Sequence, residues 1–573
     1  MGSPIDNRQS TIRRSSIFKR KSSVLTLAAL AASVFLFVVT VPPAPARIDA
    51  SAWGELAART ISGAYHVHTT RSDGIGDRDA VAAAAARAGL AFVILTDHGD
   101  GTRPPDPPVY LSGVLILDGV EVSTDAGHYV AIDMRAAPYP LGGAGEAVVE
   151  DVARLGGFGI AAHPDSAKAA LRWTDERARI DGIEWLNADS EWRGEPRARM
   201  VRAGIGYLLR PGPAVVSLFD RSATLERWDR MTNLRPVVGM AGADAHGGVG
   251  RRAEDSGRSF TGAVGIPSYQ ASFAAFSNRV VLDRPLTGNA AADARALLDA
   301  IRKGSVFTAI DGLAGPALLD FHAEAGLEKR GMGGVMPGDS DGTIVARAAL
   351  PPGAELVLLR NGQEIARGDE IRRLVTDARG AYRVEARIPG APGTPPVPWL
   401  VSNPVYFGGA PGPSAGLEPL PPTIPKAATI APFPWRIEKD GTSGGVLRSS
   451  ASEAVFEYRL GDGPRNNQFV ALASDVSGQP FNEIDLTLAA DRPMRISVQV
   501  RRASGERWGR SFYVDPAGSA VRVALAQLTP ITAAAGSVIS GTEVTSILLV
   551  CDLTNAAPGR SGVLRVKASA LLN

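Results

Sequence analysis

Between Ile61 and about Ala325 the chain alternates short, continuous apolar runs with Ala-rich stretches whose polar positions recur at helical spacing. Ala91–Leu95, Val114–Leu117, Gly159–Ala162, Gly182–Leu186 and Pro236–Met240 are apolar almost throughout, the pattern of strands buried on both faces. Asp79–Arg87, Gly145–Leu155, Leu218–Met231 and Ala291–Ile301 read as helices. Strands and helices taking turns predict an α/β unit over residues 61–325. From about Gly333 the rhythm changes. Ile344–Leu350, Glu355–Arg360 and Tyr382–Ile388 are strand-like, with an Asn361-Gly362 hairpin turn, and predict a small β-sandwich over 326–410. Residues 411–434 hold eight prolines and form a stiff linker. Beyond it, Val455–Arg459 and Arg495–Arg501 alternate apolar and polar positions, Ser546–Cys551 is a strand-like apolar run, and no helical stretch is visible. Residues 435–573 therefore read as a second β-sandwich of jelly-roll type.

The N-terminus follows different rules. Residues 1–23 are basic (Arg13, Arg14, Lys19, Arg20, Lys21) and precede an uncharged apolar run over 24–41, with a linker at 42–60. As a helix that run would measure about 27 Å, just enough to cross a bilayer. The flanking charges would keep the N-terminus cytoplasmic and the body outside. The expectation is a signal anchor in the cell membrane. Ala44-Pro45-Ala46 leaves open a cleaved signal and a secreted or periplasmic protein.

Composition narrows the function. A net charge of +2 over 573 residues argues against a dedicated nucleic-acid or polyanion binder, and no aromatic or basic platform for bases stands out. The single cysteine, Cys551, excludes an intramolecular disulfide and any multi-cysteine metal site. Histidine is the informative residue: six of seven fall between His66 and His246. They sit in His66-Val67-His68, Thr96-Asp97-His98, Gly127-His128, Ala162-His163-Pro164 and Asp244-Ala245-His246, joined by Ser72-Asp73-Gly74 and Gly119-Val120-Glu121. Each alone has an ordinary explanation as a turn residue or polar cap. Together they follow the carboxyl ends of the expected strands, where a parallel barrel collects its active site, and imidazoles with carboxylates are the usual ligands of divalent metals. His322, outside the cluster, reads as structural.

This ordered set resembles the PHP family, named for its polymerase and histidinol-phosphatase members. The resemblance implies a distorted, TIM-like (β/α)7 barrel holding two or three divalent ions (Mn, Zn or Fe). By motif, His66, His68, Glu121 and Asp244 would hold the first ion. Glu121 would bridge to a second held by His128 and His163. Asp73, His98 and His246 would hold a third. Several family members carry His where this chain has Asp73, which still offers an oxygen. Glu121, Asp244 and His128 are the residues to which catalysis would fall. The implied reaction is phosphoester hydrolysis (phosphatase, phosphodiesterase or exonuclease-like) by a metal-bridging hydroxide on a small anionic substrate. Arg71, Arg251 and Arg252 are candidates to grip a phosphate. Asp100 and Asn187 are candidates to support ligands, with Lys168 a weaker one. Trp399–Pro404 and the Arg360-Asn361-Gly362 turn resemble the extracytoplasmic, carbaryl-hydrolase-like branch, which adds amide or carbamate hydrolysis as an alternative. A different class also remains open: a cell-envelope ligand-binding protein whose metals are structural. The last β-domain resembles carbohydrate-binding modules in pattern, with Arg501, Arg502, Trp508, Arg510 and Tyr513 as a candidate carbohydrate face.

Overall fold

The structure, a computed structural model, describes residues 24–35, 37, 38, 40–248, 266–336, 341–376, 379–408, 433–477 and 479–573. Helices and strands are mixed, and strands dominate. In the first sheet β1 (Thr60–Tyr65), β2 (Phe92–Leu95) and β3 (Val114–Asp118) run parallel, and α1 (Arg78–Arg87) connects the first two. Asp77 starts α1 by accepting the amide of Ala80 at 2.9 Å. A second sheet has the order β4 (Val120–Thr124), β5 (Gly127–Ile132), β6 (Phe158–Ala161), β7 (Gly182–Asn187), β8 (Val238–Gly242). In it β6, β7 and β8 are parallel and β4 and β5 antiparallel to their neighbours. The connections carry α2 (Gly145–Arg154), α3 (Ala188–Arg193), α4 (Arg197–Tyr207), α5 (Pro211–Val216) and α6 (Thr224–Thr232). After α7 (Tyr269–Phe273), β9 (Ser277–Val281) pairs antiparallel to β1, and α8 (Ala290–Lys303) leads to β10 (Val306–Ala309).

Where a distorted, TIM-like (β/α)7 barrel is expected, the hydrogen bonds form two sheets of mixed direction. The reason is local. Only Asp125 and Ala126 separate β4 from β5, and so short a turn can make a hairpin but not a parallel crossover. The two sheets meet through isolated parallel bridges at Val67–Ala245 and His98–Glu121, both inside the histidine-bearing segments. The helix expected over 218–231 begins at Thr224, whose amide is held by Asp165 at 3.1 Å from another loop.

The two β-regions are present. Leu319–Ala325, Glu328–Gly331, Gly342–Ala348 and Glu370–Val375 make a four-stranded sheet. Facing strands of that region are continuous with the first sheet, because Leu400–Ser402 pairs antiparallel with β10. One hydrophobic core runs from Ala64 to Phe407. Arg383, 2% exposed, anchors the junction by donating to both carboxylate oxygens of Asp229 on α6 (2.6 and 2.7 Å) and to Glu385 at 2.9 Å. Residues 433–477 and 479–573 form a sandwich of a six- and a five-stranded sheet around a separate core that includes the buried thiol of Cys551.

That sandwich is docked on α2. Arg495, 1% exposed, donates to Asp151 at 2.7 Å, Glu150 at 2.9 Å and the carbonyl of Ala147 at 2.8 Å. Arg510 donates to Glu146 at 2.6 Å, and the Arg154 guanidinium lies 3.8 Å over the Tyr513 ring. Of the other candidate face residues, Trp508 is buried and donates to the carbonyl of Ser537, Arg501 pairs with Glu438, and Arg502 pairs with Glu506 and Glu543.

The expected membrane anchor is corrected. Among the described residues no helix is long and apolar enough to cross a membrane.

Candidate metal centre

The candidate ligands converge on one end of the two sheets. His66 and His68 lie just past β1 rather than within it, their rings 5.2 Å apart and fully buried. The loop between His68 and Ser72 is shaped by Asp97, which accepts the amide of Thr69 (2.8 Å), the hydroxyl of Thr69 (2.8 Å) and the hydroxyl of Ser72 (2.6 Å). Tyr269 on α7 donates to the carbonyl of His68 at 2.8 Å. The β4–β5 hairpin sets His128 opposite Ser123, so it is the diagonal neighbour of Glu121 on the same face. This register explains why a step of seven positions along the chain suffices. Gly127 turns the hairpin at φ 108°, with no room for a Cβ against the Arg172 carbonyl (2.5 Å). Seven described non-glycine residues have positive φ, and His66, His163 and Asp244 are among them, strain of the kind that gathers at functional sites.

Four atoms frame the first set. His66 Nε2 and His68 Nε2 each lie 3.3 Å from Glu121 Oε2, and 3.5 and 3.3 Å from Asp244 Oδ1. Ligands about 2.0–2.1 Å from one tetrahedral ion would be about 3.3–3.4 Å apart. His66 Nε2, His68 Nε2 and Glu121 Oε2 are buried without any hydrogen-bond partner, which is costly unless a cation takes them up. The donor set therefore fits a divalent ion. In the second set Glu121 Oε1 lies 2.7 Å from His128 Nδ1 and 3.0 Å from His163 Nε2. In the third, Asp73 Oδ2 lies 3.4 Å from both His98 Nε2 and His246 Nε2. His98 belongs to two sets, since its Nδ1 is 3.1 Å from Glu121 Oε2. Buried groups of His, Asp and Glu here could hold metal ions.

The electrostatics favour ionised carboxylates. Burial opposes charge on Glu121 and Asp244, yet the facing imidazoles hold both carboxyls well below the usual range. Burial also opposes protonation of His66, but Asp244, Glu184 and Glu121 raise its pKa well above the ordinary value. Burial keeps His68 below it. His246, likewise buried, is pushed up to about 9 by Asp73 and Asp244.

One residue escaped the sequence reading. Glu184 on β7 is fully buried and lies 2.6 Å from His66 Nδ1, while its second oxygen accepts the amide of His163 (2.7 Å) and the amide group of Asn187 (2.8 Å). Asn187 thus reaches the candidate site through its bond to Glu184. A Cβ at Gly242 would sit 2.2 Å from Glu184 Oε1, so β8 leaves space for this carboxylate. A Glu inside an apolar run was the available signal. Arg71 and Asp100 line a small cleft of about 220 Å3 beside His98. Arg71 is paired with Asp106 (2.6 Å) and Asp118 (3.3 Å). Asp100 caps a turn at Thr102 (3.0 Å). Lys168 is exposed, and Arg251 and Arg252 lie outside the described residues. His322 stays apart, between Asp320 at 2.7 Å and Glu324 at 3.0 Å.

No protein-family model matches the chain, and no curated protein matches it. Solved structures with similarity include the family 11 carbohydrate-binding module of a cellulosomal cellulase of Clostridium thermocellum, 11% identical, covering 26% of this chain and 90% of its own, with a TM-score of 0.20. The same family's module in complex with a β-1,3-1,4-mixed-linked tetrasaccharide is 11% identical, with coverages of 26% and 91% and a TM-score of 0.20. An exo-β-agarase is 10% identical, with coverages of 24% and 24% and a TM-score of 0.17.

Proposed function

We propose that the chain is a metal-dependent hydrolase of the PHP type acting on phosphoesters, and that its two bridged sheets are a distorted form of that family's barrel. The observation that carries the reading is the set of buried atoms of His66, His68 and Glu121 left without a hydrogen-bond partner, with Asp244 3.5 and 3.3 Å from the two imidazoles. Divalent ions bound there would supply Lewis acidity and lower the pKa of a water molecule towards about 7.

The chain's own residues prepare that chemistry. Glu121 spans two ligand sets with its two oxygens. Glu184 accepts the Nδ1 proton of His66 and so leaves the Nε2 lone pair facing the centre. Asp97 holds the loop that presents His68 and Asp73. With three ions, the carboxylates of Asp73, Glu121 and Asp244 leave an excess of about +3, which the buried Glu184 lowers by one; an anionic reacting group is still favoured. A second reading, amide or carbamate hydrolysis by the same residues, draws support from the largely apolar cavity that meets Asp244.

The test is to purify the full chain, count its metals, and assay phosphomonoesters, phosphodiesters, nucleotides and aryl carbamates in parallel. Two or three ions per chain and phosphoester turnover are expected. His66→Ala and Asp244→Ala should each abolish turnover while the circular dichroism spectrum is kept. Retained activity in either variant would overturn the assignment, and a metal-loaded protein inert on every substrate would point to a binding role with structural metals.

A further inference from the structure

Helices α3, α4 and α5 line an open cavity of about 510 Å3 whose one end is formed by Asp73, Asp244 and His246. Its walls are Trp192, Met200, Tyr207, Val215, Leu218 and Phe219. Among the described lining residues the one basic side chain is Arg193, and it is already paired with Asp189. Trp192 Nε1 donates to Asp189 at 3.1 Å, and the Tyr207 hydroxyl accepts the amide of Ser268 at 2.9 Å. These polar groups are satisfied inside the wall. A charged or sugar-like group entering would lose its water and find few partners, whereas an apolar group would gain by leaving water.

We infer that this cavity receives the part of the substrate flanking the hydrolysed bond, and that it takes an uncharged apolar group, an aryl or branched-alkyl arm. The inference rests on the hydrolase reading, because the reacting bond must lie at the end formed by Asp73, Asp244 and His246. A cavity of about 150 Å3 holds one benzene, so the space here is ample for a two-ring arene. The centre would hold the anionic or polar reacting group and the cavity would choose its companion.

Two measurements on the full chain test this separately. In equilibrium titration, naphthalen-2-ol should bind both with and without chelator. Leu218→Asp should weaken that binding at least tenfold. Met200→Trp, which fills the space without adding charge and guards against a folding defect in the first variant, should do the same. In turnover, kcat/KM should be at least 100-fold higher for bis(4-nitrophenyl) phosphate than for glycerol phosphate. Both variants should narrow that gap through KM, with kcat changing little. Arene binding unchanged in both variants would overturn the cavity assignment even if the enzyme is active, as would a preference for glycerol phosphate. Arene binding lost in both variants, with no turnover of any ester, would support the cavity as an apolar site and overturn the hydrolase reading on which its substrate role depends.

Discussion

Glu184 shows how much a single buried side chain can decide. It is a fourth carboxylate at the centre, and it acts through Nδ1 of His66 and the backbone amide of His163 rather than toward the shared ligand atoms. Glu184→Gln would keep the shape but remove the charge that orients His66. Metal affinity should fall about 10- to 100-fold, measured by competition with a chromophoric chelator; unchanged affinity would remove Glu184 from the site. Glu191 on α3 supports a pH prediction. Burial, aided by the negative charges of Asp220, Asp165 and Glu195, raises its carboxyl to about 8. Because the folded pKa exceeds the ordinary value of 4.5, the stability it contributes is complete below about pH 4.5 and is lost as pH rises through about 8. Glu191→Gln should therefore match the parent in urea unfolding at pH 5 and be the more stable of the two at pH 9.

Elements explain what side chains alone do not. The β4–β5 hairpin converts a seven-residue spacing, which in sequence looks too short for two ligands, into diagonal neighbours on one face. Helix α2 does the same for the C-terminal sandwich. Its carboxylates, Glu146, Glu150 and Asp151, meet Arg510 and Arg495. Breaking a buried pair by removing one partner leaves an uncompensated charge, so Arg495→Ala should cost about 3–5 kcal/mol in urea unfolding. A loss below about 1 kcal/mol would mean that the docking is energetically idle. Helices α3, α4 and α5 were not legible beforehand. Gly194, Pro196, Pro211 and Pro213 leave α3 and α5 only six residues each, too short for a helical period to emerge, and α4, though 11 residues long, buries only Ala203 and Gly206, so no apolar face marks it.

At the scale of the whole molecule, the centre ties both sheets together through the Val67–Ala245 and His98–Glu121 bridges. Bound ions should therefore stabilise the fold. Chelation should lower the melting temperature by roughly 5–10 °C, and added Mn or Zn should restore it. An unchanged melting temperature, with metal shown to be removed, would argue that the ligands are held by the fold alone.

Residue order alone was enough to suggest the alternation of buried strands and helices, a later change to β-structure, whose first strand, Leu319–Ala325, in fact precedes the expected boundary, and the nine candidate ligands, because periodicity and clustered polar residues are local signals. Tertiary structure decided the rest: the hydrogen-bonding of the α/β unit into two mixed sheets, Glu184 behind His66, Arg71 paired with Asp106 and Asp118, and a largely apolar cavity at the edge of the centre. Each of these depends on residues far apart in the chain meeting in space, where strand pairing, burial and charge neutralisation are settled by neighbours that local sequence does not name.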